Sequence, residues 1–496
     1  MTDKHFILAI DQGTTGSTAL LFNEDGQEIS RAYREISQIY PKPGWVEQQP
    51  GEIFVSCVEV AEEVVQKSGT SLSMIKGIGI TNQRETTIVW DRVSGQPVYN
   101  AIVWQCRRTA EICENLKKKG MGPIVREKTG LTIDAYFSAT KIRWILNNIP
   151  DGQRRAEQGQ LLCGTVDSWL VWNLTKGKLH ITDYSNASRT MLFNINTLNW
   201  DKDLLNSMGI PESMLPQVLP SSQIYGETAD GIFNDSHISL AGIAGDQQAA
   251  LFGQACFHKG MAKNTYGTGS FILVNTDDKR VISNKGLITT LAWGLEDRLT
   301  YAIEGSIFVT GAAVQWLRDG LGLITNAAES ETLAATVPNN GGVYFVPAFV
   351  GLGAPYWDMY ARGNITGLTR GSTKGHLARA TLESIAFQTR DVIDAMKADV
   401  NLQIPVLRVD GGGSTNNLLM QFQADILGIP IERAQLTENT ALGVAYFAGL
   451  SVGMWRNTIE LEQYWKSTAR YEPNISTDER ETLYNNWQRA VERAKA

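Results

Sequence analysis

Phe6-Ile7-Leu8-Ala9-Ile10 runs into Asp11-Gln12-Gly13-Thr14-Thr15-Gly16-Ser17 and resumes, after Thr18, at Ala19-Leu20-Leu21-Phe22. Short apolar runs broken by a Gly/Thr cluster read as two strands joined by a tight turn. Past the midpoint the chain does nearly the same again. Met261-Ala262-Lys263-Asn264 leads into Thr265-Tyr266-Gly267-Thr268-Gly269-Ser270 and on to Phe271-Ile272-Leu273-Val274. Glycine turns the backbone without a Cβ clash, and its bare amides beside Thr and Ser hydroxyls make a cradle for phosphate oxygens. One such hairpin says little. Two, in matching places of two half-chains, imply a duplicated fold that grips a nucleotide between its halves.

Composition sets the frame. A chain of 496 residues is long for one core and favours two or more domains. Hydrophobic residues at 43% and charged residues at 20% are ordinary for a globular protein. A net charge of -7 argues against nonspecific nucleic-acid binding, which needs basic surface. No apolar run reaches the roughly 18 residues of a spanning helix. The first strand begins almost at once, with no signal-peptide pattern. The five cysteines, Cys57, Cys106, Cys113, Cys163 and Cys256, include no CxxC pair, which fits buried reduced thiols in a cytoplasmic protein.

Along the chain, 78–81 and 87–90 read as strands, and apolar residues three and four apart make 53–65 a helix. Further helices are expected over 140–146 and 166–174. Segments 287–293 and 299–303 read as a hairpin across 294–298. A long helix is expected over 373–396, capped by Thr373, with Leu382, Ile385 and Ala386 on one face. Residues 407–410 read as a short strand ending in Gly411-Gly412-Gly413. The helix after it, 416–426, stops at Gly428 and Pro430. The charged tail after Gly453 reads as a packed helix pair. Alternating α and β segments in two related halves imply α/β domains facing across a cleft. The position of the second hairpin puts the boundary at 253–260, giving domains 1–253 and 254–496.

Other nucleotide devices are missing. The sole Gly-Lys, Gly177-Lys178, precedes Leu179, so there is no Walker A loop. No His-Arg-Asp or Asp-Phe-Gly occurs, and no dinucleotide fingerprint opens a helix after a strand. The hairpin cradle is left to handle phosphate.

Four segments are more polar at strand ends than packing needs. Asn82-Gln83-Arg84-Glu85 is either a solvated hairpin tip or a donor and acceptor pair for a polyol. Gly245-Asp246-Gln247-Gln248 opens an apolar helix. Asp246 there is either its cap or a carboxylate that takes a proton from an attacking hydroxyl. Asp11 either caps its turn or organises Mg²⁺ through waters beside the phosphate cradle. Gly411-Gly412-Gly413-Ser414-Thr415-Asn416 is a turn whose glycines also let a flat base or ribose approach the backbone. On spacing alone, Trp104, Tyr136 and Phe271 belong to the core.

Several segments carry a resemblance to the FGGY carbohydrate-kinase family over essentially the whole length. They are Ala9-Ile10-Asp11-Gln12-Gly13-Thr14-Thr15, Gly79-Ile80-Thr81-Asn82-Gln83-Arg84-Glu85-Thr86-Thr87, Ala101-Ile102-Val103-Trp104-Gln105-Cys106-Arg107-Arg108, Gly242-Ile243-Ala244-Gly245-Asp246-Gln247-Gln248 and Gly351-Leu352-Gly353-Ala354-Pro355-Tyr356-Trp357-Asp358. The Asn-Gln-Arg-Glu and Gly-Asp-Gln-Gln pieces favour its glycerol-phosphorylating branch over the pentulose kinases. The resemblance implies two ribonuclease-H-like domains of the actin/hexokinase type facing across a catalytic cleft, closing on ATP and glycerol. The first would bind polyol and phosphate, the second adenine nucleotide. It implies Asp246 as general base and Arg84, Glu85, Tyr136, Asp246 and Gln247 on the three hydroxyls, with Trp104 and Phe271 against the carbons. Thr14, Thr15, Gly16, Thr268, Gly311, Gln315, Gly412 and Asn416 match nucleotide-contacting positions, and Asp11 with Asp246 would hold Mg²⁺.

The implied product is sn-glycerol 3-phosphate, and a homo-oligomer, dimer or tetramer, is expected. Rival readings are a kinase for another polyol or a pentulose, and a low-activity actin-like nucleotide binder. The latter rests on Thr18, which stands where the family usually carries Arg. Gly231-Ile232-Phe233-Asn234-Asp235-Ser236-His237 lacks the Gly-Thr-Arg of relatives inhibited by fructose 1,6-bisphosphate. Ser221-Ser222-Gln223-Ile224-Tyr225-Gly226 lacks the histidine phosphorylated in another branch. Pro473-Asn474-Ile475-Ser476-Thr477-Asp478-Glu479-Arg480 resembles the stretch that binds a phosphocarrier in some relatives, though a solvated helix start is the favoured reading.

Overall fold

The computed structural model describes residues 4–296, 298–400 and 403–495. Thirteen strands form one sheet. The first half supplies β1 (Phe6–Gln12), β2 (Gly16–Phe22), β3 (Glu28–Glu35), β4 (Ile75–Asn82), β5 (Ser222–Glu227) and β6 (Ser239–Gly245). The second supplies β7 (Ala262–Tyr266), β8 (Ser270–Asp277), β9 (Ile288–Leu295), β10 (Arg298–Ile307), β11 (Leu407–Asp410), β12 (Ile431–Ala434) and β13 (Ser467–Tyr471).

The repeated hairpin seeds a repeated topology. In the first half β3, β2 and β1 are antiparallel neighbours, and β4 then β6 continue parallel to β1. In the second half β10, β8 and β7 are antiparallel, and β11 then β12 continue parallel to β7. The two five-strand units meet where β5 and β9 pair at one position, Ser222 opposite Leu295. Strands β1, β2 and β4 are buried along nearly their whole length. Helices cover both faces, so these strands read as continuous apolar runs rather than alternating ones.

On one face lies α1 (Pro50–Ser68), which begins at a proline and ends at Gly69 in the left-handed region, burying Ile53, Cys57, Val60, Ala61 and Val64. Between the halves, α2 (Asp246–Gly253) packs on α5 (Asn439–Ser451) almost backbone to backbone. A Cβ at Gly253 would stand 2.0 Å from the Asn439 carbonyl, and one at Gly443 1.9 Å from that of Ala249. Helices α3 (Lys374–Val400) and α4 (Asn417–Leu427) cover the second unit. The expected helices over 53–65, 140–146, 166–174, 373–396 and 416–426 are all present; the first, second and fourth run longer than expected and the other two keep their length. The expected hairpin is β9–β10; of its turn, Asp297 lies outside the described residues.

Two expectations change. Residues 78–90 are not a hairpin: Ile88–Asp91 leaves β4 and pairs with Leu161–Gly164. The segment 82–85 between them is therefore a buried crossing, not a tip. The tail does hold two helices, Thr458–Glu462 and Thr477–Ala494, but not as a simple pair, because β13 lies between them and adds antiparallel to β12. Helix α5, apolar through its middle and buried there on all sides, carries no amphipathic stripe to announce it. All five cysteines are buried and free. No helix among the described residues is long and apolar enough to cross a membrane.

Candidate active site

The parallel strands deliver the polar segments to one edge. Gln12, Asn82 and Gly245 lie side by side at the C-terminal ends of β1, β4 and β6. Asp11, Arg84, Glu85, Asp246 and Gln247 thus cluster at the carboxyl ends of the strands, where open α/β sheets place their sites. In the second unit Thr265 pairs with Asp410, which brings the turn after β7 beside the Gly411 loop.

Asp246 is the first residue of α2, and the cap position falls to Gly245. Its Oδ1 accepts the Gln247 amide at 2.7 Å and faces Arg84 Nε at 3.1 Å. The side chain keeps 30% of its surface. Arg84 is itself spent: Nη1 and Nη2 donate to the two Glu304 carboxylate oxygens at 2.6 and 3.1 Å. Nη1 also reaches Gln248 Oε1 at 3.2 Å, and Nη2 the Tyr136 hydroxyl at 3.4 Å.

Glu85 holds a left-handed backbone, φ 59°, unusual for a side chain with a Cβ. Its carbonyl accepts from Thr87 Oγ1, Ser138 Oγ and Lys141 Nζ, which fix that conformation. Burial lowers Lys141 to about 8, but three carbonyls surround the ammonium. The Glu85 carboxylate accepts from Arg189 Nε at 2.6 Å through one oxygen, and Arg189 Nη2 continues to Glu304 at 3.0 Å. Burial pushes Glu85 above its usual range against the pull of Arg189 and Arg84. Burial alone would raise Glu304 as well, but the Arg189 and Arg84 guanidiniums hold it at about 2. Burial beside Glu85 pushes the Tyr136 phenol up, so it stays a donor.

The three aromatics expected in the core instead wall this cluster, half-buried. Trp104 meets Tyr136 and Phe271 edge-on, with centroids 5.6 and 6.3 Å apart, and the Arg84 guanidinium sits 5.7 Å over Phe271. Trp104 Nε1 donates to Thr14 Oγ1 at 2.9 Å, so one indole touches the first turn and the start of β8. Beneath that turn Gln83 Nε2 donates to Gln12 and Gln48, and Gln48 Nε2 donates to the Thr14 carbonyl.

Among the described residues, no acceptor meets the amides of Thr14, Thr15 or Thr268. The Thr268 carbonyl takes the Thr310 and Ala312 amides and Gly267 that of Gly311, holding the short helix Gly311–Gln315 against the second turn. Gln315 is exposed on it. A Cβ at Gly412 would meet nothing within 4 Å, leaving open space above the loop. Asn416 caps α4 by accepting the Leu419 amide. Gly16 is demanded by packing, since a Cβ there would strike the Tyr33 ring at 2.5 Å.

Asp11, next to the end of β1, is half-buried, with no side-chain donor on its carboxylate among the described residues. Burial, then the Asp246 and Glu438 carboxylates, raise it well above the usual range. A carboxylate facing like charge without a partner fits a bound cation, and the pair Asp11 and Asp246 fits water-mediated Mg²⁺. Arg189, Glu304, Lys263 and Lys141 lie outside the four polar segments at strand ends, and Gln248, inside one, carries no expected role. Of the four, Glu304 has a signal, as the single charged residue in the stretch 299–307.

Profiles of the FGGY carbohydrate-kinase N-terminal and C-terminal domains match residues 6–253 and 262–452. The chain belongs to the FGGY family of carbohydrate kinases. This FGGY kinase is 60% identical over 489 residues to glycerol kinase 2 of Thermotoga maritima, spanning 99% of this chain and 98% of the relative. The glycerol kinase of Caldanaerobacter subterraneus is also 60% identical over 489 residues, with the same coverage. The crystal structure of Plasmodium falciparum glycerol kinase with ADP matches with a TM-score of 0.93 at 38% identity, over 99% of this chain and 98% of that one.

Proposed function

We propose that this chain transfers the γ-phosphoryl group of ATP to glycerol, giving sn-glycerol 3-phosphate and ADP. The observation that carries this reading is the state of Asp246. The Gln247 amide donates to its Oδ1 and the Arg84 guanidinium pairs with the same oxygen. The carboxylate stays partly open, and the aromatic wall of Trp104, Tyr136 and Phe271 stands on the Arg84 side. Oδ2 then accepts the proton of an attacking hydroxyl. The free oxygen of Glu85 accepts from a second hydroxyl, and Tyr136 and Gln247 serve the rest. Arg84 orients the base and stacks on Phe271. The amides of Thr14, Thr15 and Thr268 receive phosphate oxygens, and the open space at Gly412 receives the base or ribose. Mg²⁺, held by Asp11 with Asp246, would offset charge on the β- and γ-phosphates. Phosphoryl transfer is mostly positioning and charge stabilisation, which suits a site assembled from two units.

Close homology to glycerol kinases supports glycerol over pentuloses. Glycerol-dependent ADP release tests the reading: release stimulated by glycerol supports it. Release stimulated by a pentulose alone, or by nothing, overturns it. At the stretch proposed for a phosphocarrier, Ser476 caps the terminal helix by accepting the Glu479 amide and Arg480 pairs with Glu481. A solvated helix start accounts for these residues.

Thr18 lies directly opposite Asp11 in the β1–β2 ladder. Opposed residues share a face, so this side chain faces the same side as the carboxylate. Thr18→Arg should raise kcat, or lower the Mg²⁺ concentration for half-maximal rate, by up to about 10²-fold, the scale of one preorganised donor. Plots of kcat against free Mg²⁺ decide it; superimposable curves would remove position 18 from the phosphate site.

A further inference from the structure

Lys263 is fully buried on β7, a strand of the second unit, and no step above uses it. Its Nζ donates to Gln247 Oε1 at 2.5 Å and to Thr265 Oγ1 at 2.9 Å. Asp410, opposite Thr265 on the strand paired with β7, places a carboxylate near the ammonium. Asp246 and Glu304 add negative charge around the ammonium and Arg84 opposes it. Gln247 sits at the base of α2, in the first unit, so the contact crosses between the two halves.

A carboxamide is ambiguous: it can show a neighbour either its oxygen or its NH₂ group. A lysine ammonium removes the ambiguity, because it only donates. The Gln247 oxygen must face Lys263, and Nε2 must face the other way. Among the described residues no acceptor takes Nε2, and Gln247 keeps 7% of its surface. Asp246, next in the chain, presents an oxygen that only accepts. We infer that Lys263 is a positioning residue that locks the Gln247 amide as a hydrogen-bond donor to a polyol hydroxyl oxygen, paired with Asp246 as acceptor. This inference rests on the glycerol kinase reading. The resulting donor and acceptor pair recognises a hydroxyl-rich substrate and rejects one that offers a hydrogen at the Gln247 position. Burial lowers Lys263 to about 8, which leaves it an ammonium at neutral pH.

Lys263→Met keeps the apolar stem as far as Cε and removes the donors. Glycerol KM should rise about 3- to 10-fold, the scale of one net hydrogen bond, with kcat and the ATP KM nearly unchanged. Gln247→Leu should give a similar rise, and the double variant should be no worse than Gln247→Leu alone. Additive losses would show that Lys263 does not act through Gln247. A fall in kcat at constant glycerol KM would place Lys263 on the transferring group, and a change confined to the ATP KM would place it on Asp410; either overturns the inference. Gln247→Glu keeps Lys263 paired but offers the polyol only acceptors, so glycerol KM should again rise at least 3-fold. An unchanged KM in that variant overturns the inference even if Lys263→Met does not fold. Absence of glycerol-dependent ADP release in the parent rejects the kinase reading itself, a separate outcome.

Discussion

Asp246→Asn is expected to lower kcat for glycerol phosphorylation by at least about 10²- to 10⁴-fold, the range of a general-base contribution, with ATP affinity close to that of the parent. The substitution is nearly isosteric, so the Gln247 amide and Arg84 Nε still find an oxygen at Oδ1. What is lost is the second oxygen, replaced by an NH₂ group that cannot accept the hydroxyl proton. Two other roles for Asp246 predict different results. If it only capped α2, asparagine would serve as well and the rate would hold; the cap position is in any case Gly245. If it acted chiefly by holding Mg²⁺ with Asp11, excess Mg²⁺ would recover much of the rate. Single-turnover rates at saturating glycerol, measured across a Mg²⁺ titration, separate the three. A variant that keeps more than about a tenth of the parent kcat would sink the base assignment.

Much of this site could be read before the fold was known, for a local reason. The two Gly/Thr turns, the Asp246 segment and the Gly411 loop are each contiguous, and each breaks an apolar pattern at a strand end. What could not be read are pairings across the chain. Arg189 and Glu304 lie far from Arg84 in sequence, and neither sits in a motif, yet they meet it in a buried cluster. The burial of 82–85 was equally hidden, because nothing in 75–91 says that the second strand leaves the first to pair with Leu161–Gly164. Aromatic spacing does not tell a pocket wall from an interior, so it points Trp104, Tyr136 and Phe271 to the core. The tail strand Ser467–Tyr471 is short, polar and at the sheet edge, so it has no apolar face to mark it.

The largest stability effect is expected from Glu304→Gln. Glu304 comes from β10 in the second unit and meets two arginines of the first: Arg84 at 2.6 and 3.1 Å and Arg189 at 3.0 Å. All three side chains are buried. Removing the negative charge leaves two guanidiniums without water, with Glu85 and the partly open Asp246 as their remaining counter-charges. Breaking a buried pair from one side costs about 3–5 kcal/mol. At roughly 2–4 °C per kcal/mol for units of this size, the melting temperature should fall by roughly 6–20 °C. The pH dependence identifies the cause. Glu304 is held at about 2, below the 4.5 of an ordinary glutamate. A depressed acid contributes stability above its unfolded value and loses it as pH falls through the folded one. The gap between parent and variant should therefore be full above pH 4.5 and close as pH drops toward 2. Melts of both proteins across that window make the test. A constant gap would mean that glutamine acts by shape rather than charge, and a shift below about 2 °C would mean the arginines find other partners.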